Sequence, residues 1–243
     1  VSTLTTIQSL IKNRILIIDG AMGTQIQDLD VPIHAWRDDK GKMQEGCNEL
    51  LIDTAPDLIG RIHKRYAMAG ADMIKTNTFG CMPWVLDEYE MGHRAYELSK
   101  KGAMLAKEIC QAYSTDDAPR FVLGSMGPGT KLPSLGHIGY DEMLEGYTTV
   151  ALGLIDGGCD VFLLETCQDP LQIKAAIHGC EAANSQRDVK LPIMVSVTIE
   201  LSGTMLIGTD ATTIVTILEP FEILSLGFNC GTGPDQVKKH LRH

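Results

Sequence analysis

Cys230 stands in Ile223-Leu-Ser-Leu-Gly-Phe-Asn-Cys-Gly-Thr-Gly-Pro-Asp235, an apolar run that turns at Gly227 and enters a Gly/Pro-rich turn. A thiolate in such a place is a soft ligand for zinc or a nucleophile in its own right. The plainer reading is a structural cysteine, because free Cys is among the most buried residue types. Two carboxylates share its kind of position: Asp19 closes Arg14-Ile-Leu-Ile-Ile-Asp-Gly20, and Glu165 closes Asp160-Val-Phe-Leu-Leu-Glu165. An acid ending an apolar strand is poorly explained by packing, since an ionised carboxylate out of water needs a positive partner. For Asp19, capping a following helix is an equally good account. Behind Asp19, Gly20-Ala-Met-Gly-Thr24 is a small-residue turn whose backbone N–H groups suit a ligand carboxylate. Thr76-Asn77-Thr78 ends a further apolar stretch.

The elements that carry these residues alternate in type. An amphipathic helix over 3–13 (Leu4, Ile7, Leu10 and Ile11 on one face) precedes strands expected at 14–20, 71–79, 120–126, 160–165, 191–199 and 223–230. Helices are expected at 53–69, with Asp53 as its N-cap, and at 86–113, 140–156, 170–185, 210–218 and from 235 to the last residue. Residues 25–47 lose the pattern and read as a long loop holding Trp36, a length that is usually functional or flexible. The strands are continuous apolar runs, the mark of strands buried on both faces of a parallel sheet. About six βα units with right-handed crossovers follow. Either an open doubly wound sheet or a (β/α)8 barrel satisfies this, and a barrel takes eight units in about 250 residues. The chain spends 243 residues on six, so the barrel reading implies a chain that stops after its sixth unit.

Composition narrows the class. A length of 243 residues, 44% hydrophobic and 21% charged, is that of one sizeable α/β domain spanning 1–243. A net charge of −10 without any Lys/Arg-rich run argues against nucleic acid. No stretch reaches the length of a membrane span and the N-terminus lacks a signal-peptide layout, so a cytoplasmic protein without membrane contact is expected. The seven cysteines are widely spaced with no C-x-x-C, which fits reduced thiols. Cys81 and Cys167 lie just past strand ends but read as structural, and Cys47, Cys110, Cys159 and Cys180 as loop or packing residues. The histidines (His34, His63, His93, His137, His178, His240 and His243) show no H-x-x-x-H ligand spacing and read as surface or packing residues.

Taken together, Asp19-Gly-Ala-Met-Gly-Thr24, Thr76-Asn-Thr-Phe79, Glu165-Thr and Gly227-Phe-Asn-Cys-Gly231 resemble, in order, the motifs of the homocysteine-binding methyltransferases. The insertion with Trp36 and Gly46-Cys-Asn-Glu-Leu50 is most similar to the N-terminal homocysteine modules of cobalamin-dependent methionine synthases. The resemblance runs from about residue 6 to the end.

It implies a (β/α)8 TIM-type barrel with a catalytic zinc held by three thiolates. One matches Cys230; the other two belong to a Cys-Cys pair at the end of an eighth strand, and this sequence contains no such pair. The expectation is therefore a barrel domain incomplete at its C-terminus. The resemblance also implies catalytic roles for Cys230, Glu165 and Asp19. Substrate binding is expected from Asp19, Gly20, Gly23, Thr24, Asn77, Glu165 and Asn229, with the acids on the ammonium of L-homocysteine and the N–H groups of 20–24 on its carboxylate. Cobalamin and methyl-tetrahydrofolate are expected only on other modules of a full-length polypeptide. Two alternatives stand beside this: a stand-alone homocysteine methyltransferase using betaine or S-methylmethionine, and a barrel fragment with little activity of its own.

Overall fold

The computed structural model describes residues 3–241. Helix α1 (Thr3–Ile11) leads to an extended segment and the short α2 (Gly23–Gln27); α3 (Leu51–Thr54) and α4 (Pro56–Met68) follow the long loop. Then come β1 (Met73–Lys75), α5 (Pro83–Leu86), α6 (Ala95–Tyr113), β2 (Phe121–Met126), α7 (Tyr140–Asp156), β3 (Val161–Cys167) and α8 (Pro170–Arg187). The last elements are β4 (Ile193–Val197), α9 (Ala211–Leu218), β5 (Ser225–Phe228) and α10 (Pro234–His240). Among the described residues no helix is long and apolar enough to cross a membrane.

The sheet has five parallel strands in the order β1-β2-β3-β4-β5. A doubly wound sheet reverses its strand order at a switch point; a strictly sequential order keeps every right-handed crossover on one face, which is barrel winding. Side chains alternate accordingly. Met73, Phe121, Leu123, Val161 and Leu163 form one cluster with Ile7 of α1, the inner face of the sheet. The intervening Phe162, Leu164, Ile193, Val195 and Val197 pack into the helix layer with Met143, Leu154, Ile173 and Ile177. The period of two then carries the inner face from Leu123 to Ser125 and from Leu163 to Glu165. The strand C-terminal ends therefore replace an apolar inner layer with a polar one.

The structure departs from the expected elements in three places. Residues 14–20 form no strand of the sheet: the segment joins β1 through one parallel bridge, Ile18 to Met73. Around that bridge Met73 N–H donates to the Ile17 carbonyl and Asp19 N–H to the Met73 carbonyl, but the Ile17 N–H donates to the Asp72 carboxylate at 2.9 Å instead of continuing the ladder, and the same carboxylate holds the Arg14 guanidinium at 2.7 Å. Ile15 and Ile17 are 83% and 54% exposed, so burial does not hold the segment flat either. Second, the helix expected over 86–113 breaks into α5, two 3-10 turns and α6, because Glu90 is left-handed (φ 59°) and Gly92 lies where a Cβ would collide with Asp87. Third, Asp53 caps no helix. It pairs with Arg94 and with Lys101, and α4 starts after Ala55. Of the expected C-terminal helix, Arg242 and His243 lie outside the described residues.

Candidate active site

Asp19, Lys75, Glu165, Ser196, Gly227 and Asn229 line a cavity of about 280 Å³ at the C-terminal ends of the strands. Glu165 is anchored from behind: the buried Ser125 hydroxyl donates to its Oε1 at 2.6 Å. Its Oε2 faces Lys75 Nζ at 3.4 Å. Asp19 is held by one oxygen, Oδ2, which accepts the Lys75 backbone N–H at 3.0 Å. Its Oδ1 is buried and has no partner. A buried acceptor without a donor is costly. Accordingly burial, offset by Lys75 and reinforced by the neighbouring Glu165 charge, pushes the Asp19 carboxyl up to about 7. The cavity thus holds two carboxylates whose acceptors are incompletely used: Asp19 Oδ1, buried without a partner, and Glu165 Oε2, bonded only to Lys75.

Beside it, the Asn229 amide locks two strand ends together. Thr166 N–H donates to Asn229 Oδ1 at 2.9 Å, Asn229 Nδ2 donates to Thr166 Oγ1 at 2.7 Å, and the Ser196 hydroxyl donates to Oδ1 at 2.7 Å. The same Nδ2 lies 3.3 Å from Cys230 Sγ, and Thr166 Oγ1 lies 3.9 Å from it. Both Thr166 (φ 60°) and Cys230 (φ 58°) are left-handed, rare for a non-glycine residue and rarer for a β-branched one. Such backbone persists where its surroundings over-determine it, typically at functional sites. Here it aims Cys230 outward, and Cys230 is the exposed cysteine of the seven.

The remaining expected residues divide. Gly20 is forced by Tyr66, whose hydroxyl would lie 2.7 Å from a Cβ there while it bonds the Ala21 carbonyl at 2.8 Å. Gly23 and Thr24 open α2 on the same end of the fold, outside the cavity lining. Asn77 is also outside the lining; it donates to the Asn48 carbonyl at 2.8 Å. Glu49 accepts the Gly80 N–H at 2.7 Å. These two bonds staple the insertion around Gly46–Leu50 to the exit of β1. Lys75 was missed by sequence reasoning. Its inward direction follows from the alternation with Met73, a signal too short to read in a three-residue strand.

Cys81 and Cys167 are fully buried. Burial pushes the Cys167 thiol to about 12 and raises the Cys81 thiol well above its ordinary range. Gln172 of α8 lies 3.8 Å from Cys167 Sγ, placing that thiol toward the helices. Among the described residues no group of three His, Cys, Asp or Glu side chains could hold a metal ion. Cys230 is thus a single thiol donor, short of the three protein ligands of a catalytic zinc site.

The chain matches the family model described as homocysteine S-methyltransferase over residues 16–243. It is 45% identical over 230 residues to the methionine synthase of Mycobacterium leprae (strain TN), covering 95% of this chain and 19% of that protein. It is 44% identical over 239 residues to the methionine synthase of Mycobacterium tuberculosis (strain ATCC 25618 / H37Rv), covering 98% of this chain and 20% of that one. The chain therefore spans about a fifth of the length of these curated relatives. Among solved structures, the metallated homocysteine methyltransferase MmuM from Escherichia coli superposes with a TM-score of 0.76 at 19% identity, covering 97% of this chain and 81% of that one. Its oxidized form gives 0.77 at 20% identity, with 97% and 80% covered. These likenesses establish the barrel-type fold.

Proposed function

The chain belongs to the homocysteine S-methyltransferase family, and from that premise we propose that it is the homocysteine-binding module of a methionine synthase, presenting the substrate thiol for methylation. The observation that carries this reading is the carboxylate pair in one cavity beside the outward Cys230: Glu165 Oε2, held by Lys75 alone at 3.4 Å, and Asp19 Oδ1, buried without a partner. An α-ammonium has three N–H donors and a positive charge, the complement of those oxygens. The turn Gly20–Thr24 offers backbone N–H groups to the α-carboxylate. With the amino-acid head fixed in this way, the side chain extends toward Cys230.

The substrate thiol must lose its proton, since a free thiol has a pKa of about 8.5. Bound zinc would supply that chemistry by stabilising the thiolate, and Cys230 is the residue placed to ligate it. The described residues do not complete such a site, so the steps assigned to this chain stop at binding and orientation. The sulfur would take its methyl group from cobalamin, remethylated by methyl-tetrahydrofolate, on further modules of the same polypeptide. The insertion stapled to β1 and the 45% identity to a methionine synthase favour this over a stand-alone enzyme using betaine or S-methylmethionine.

Calorimetric titration of the intact protein with L-homocysteine and with L-2-aminobutyrate, which lacks only the thiol, tests the reading. Binding of homocysteine that is stronger than that of aminobutyrate, and weakened in both Asp19→Asn and Glu165→Gln, is expected. Equal binding of the two ligands would remove the thiol from the account.

A further inference from the structure

Lys75 has no part in the function proposed above, yet it lies inside that site. Its Nζ makes a single hydrogen bond, at 3.4 Å, to Glu165 Oε2. This is the longest lysine–carboxylate pair among the described residues. Lys107 sits 2.8 and 2.9 Å from the two Asp160 oxygens, and Lys101 sits 2.7 Å from Asp53. The Lys75 side chain is only 22% exposed and that of Glu165 only 11%, so the slack is not that of a solvated surface pair. It is a loosely held cation in a confined space.

The other contacts define what that cation occupies. Glu165 Oε1 is committed to Ser125 and Asp19 Oδ2 to the Lys75 backbone, which leaves Asp19 Oδ1, buried and without a partner, and Glu165 Oε2, held by Lys75 alone. An incoming α-ammonium that bridges the two carboxylates must take Oε2 from Lys75. We propose that Lys75 is an internal stand-in for the substrate ammonium: it neutralises the carboxylate pair while the cavity is empty and is displaced when the ligand's ammonium binds. This rests on the homocysteine reading for the identity of the ligand, but its logic concerns any α-amino acid.

This makes Lys75 a determinant of specificity. The resident cation lowers affinity for every ammonium ligand, so a weakly fitting amine gains too little to displace it.

The test is titration of the intact protein, as wild type, Lys75→Met, Lys75→Gln and Lys75→Arg, with L-homocysteine, L-2-aminobutyrate and 4-mercaptobutyrate (the analogue lacking the ammonium). Displacement predicts that Lys75→Met and Lys75→Gln bind both ammonium ligands about fivefold more tightly, the worth of one partly buried ion pair no longer broken on binding. Lys75→Arg keeps the charge and stays near wild type. Neither neutral variant binds 4-mercaptobutyrate more tightly. Unchanged or weaker binding of the ammonium ligands by both neutral variants overturns the proposal, weaker binding meaning that Lys75 serves the ligand directly. Failure of the homocysteine reading looks different: aminobutyrate then equals homocysteine in every protein, whatever Lys75 does.

Discussion

Asn229 and Thr166 are bonded to each other twice, Thr166 N–H to Asn229 Oδ1 at 2.9 Å and Asn229 Nδ2–H to Thr166 Oγ1 at 2.7 Å. This reciprocal pair joins the ends of β3 and β5 across 63 residues of chain and sets the position of Cys230.

Replacing Asn229 with Ala removes both bonds together with the acceptor of the Ser196 hydroxyl, and leaves Thr166 left-handed without support. A cost of about 2–3 kcal/mol in urea unfolding is expected, the worth of a few partly buried hydrogen bonds and an unrelieved strained residue. Thr166→Gly in the same assay costs less, because glycine adopts that backbone without strain and recovers part of what the lost hydroxyl bond gave. If Asn229→Ala were as stable as wild type, the clamp would have no energetic content.

Cys230 is the exposed thiol, whereas each of the other six cysteines is 5% exposed or less. Alkylation of the native protein with iodoacetamide is expected to modify one thiol, and alkylation in denaturant all seven. Cys230→Ala abolishes the native reaction without affecting the fold. Native labelling of two or more thiols, read by intact mass, contradicts the burial described for Cys81 and Cys167.

Glu165 and Cys230 are legible in the sequence because each sits where packing offers no reason for it: an acid closing an apolar strand, and a cysteine delivered into a Gly/Pro turn. The sequential sheet resolves the choice of architecture that alternation alone leaves open, since strand order is a matter of pairing partners far apart in the chain. Lys75 was illegible for the same reason. A lysine ending a short apolar stretch reads as solvent-facing, and its inward direction depends on β1 pairing in register with β2. Residues 14–20 show the opposite failure. Their composition is that of a buried strand, but the Asp72 carboxylate takes the Ile17 N–H that a continuing ladder would need.

The Asp19 carboxyl, pushed up to about 7 chiefly by burial, makes ligand binding depend on pH. An ammonium prefers the ionised form, so affinity for L-homocysteine is expected to rise up to about pH 7 and then level, falling by as much as tenfold per unit below it. Asp19→Asn flattens this rise while lowering affinity throughout. Calorimetry at pH 5.5, 6.5 and 7.5 reads both effects, and an acid limb persisting in Asp19→Asn assigns the titration to another group.

His63 sets a second pH dependence, this time of stability. It lies on α4 between the buried Ile59, Ile62 and Ala67, is itself fully buried, and neither ring nitrogen has a hydrogen-bond partner. Burial lowers its pKa from 6.5 to about 4. Between those values the unfolded chain binds the proton and the folded chain does not. Stability contributed by the neutral ring is therefore intact above about pH 6.5 and is lost as pH falls toward 4, by up to about 3 kcal/mol at 1.36 kcal/mol per unit. Asp19 acts with the opposite sign in an overlapping window: its raised pKa means that ligand-free stability declines as pH climbs from about 4 to about 7. The two slopes partly cancel in the wild type, so its overall profile alone decides nothing. The difference between wild type and His63→Leu isolates one of them. That variant is expected to gain stability relative to wild type steadily from pH 6.5 down to 4, and to be no less stable at pH 7.5, where it removes two unbonded nitrogens from an apolar setting. A difference between the two proteins that stays constant across this range in denaturant titrations means that the ring protonates as readily folded as unfolded.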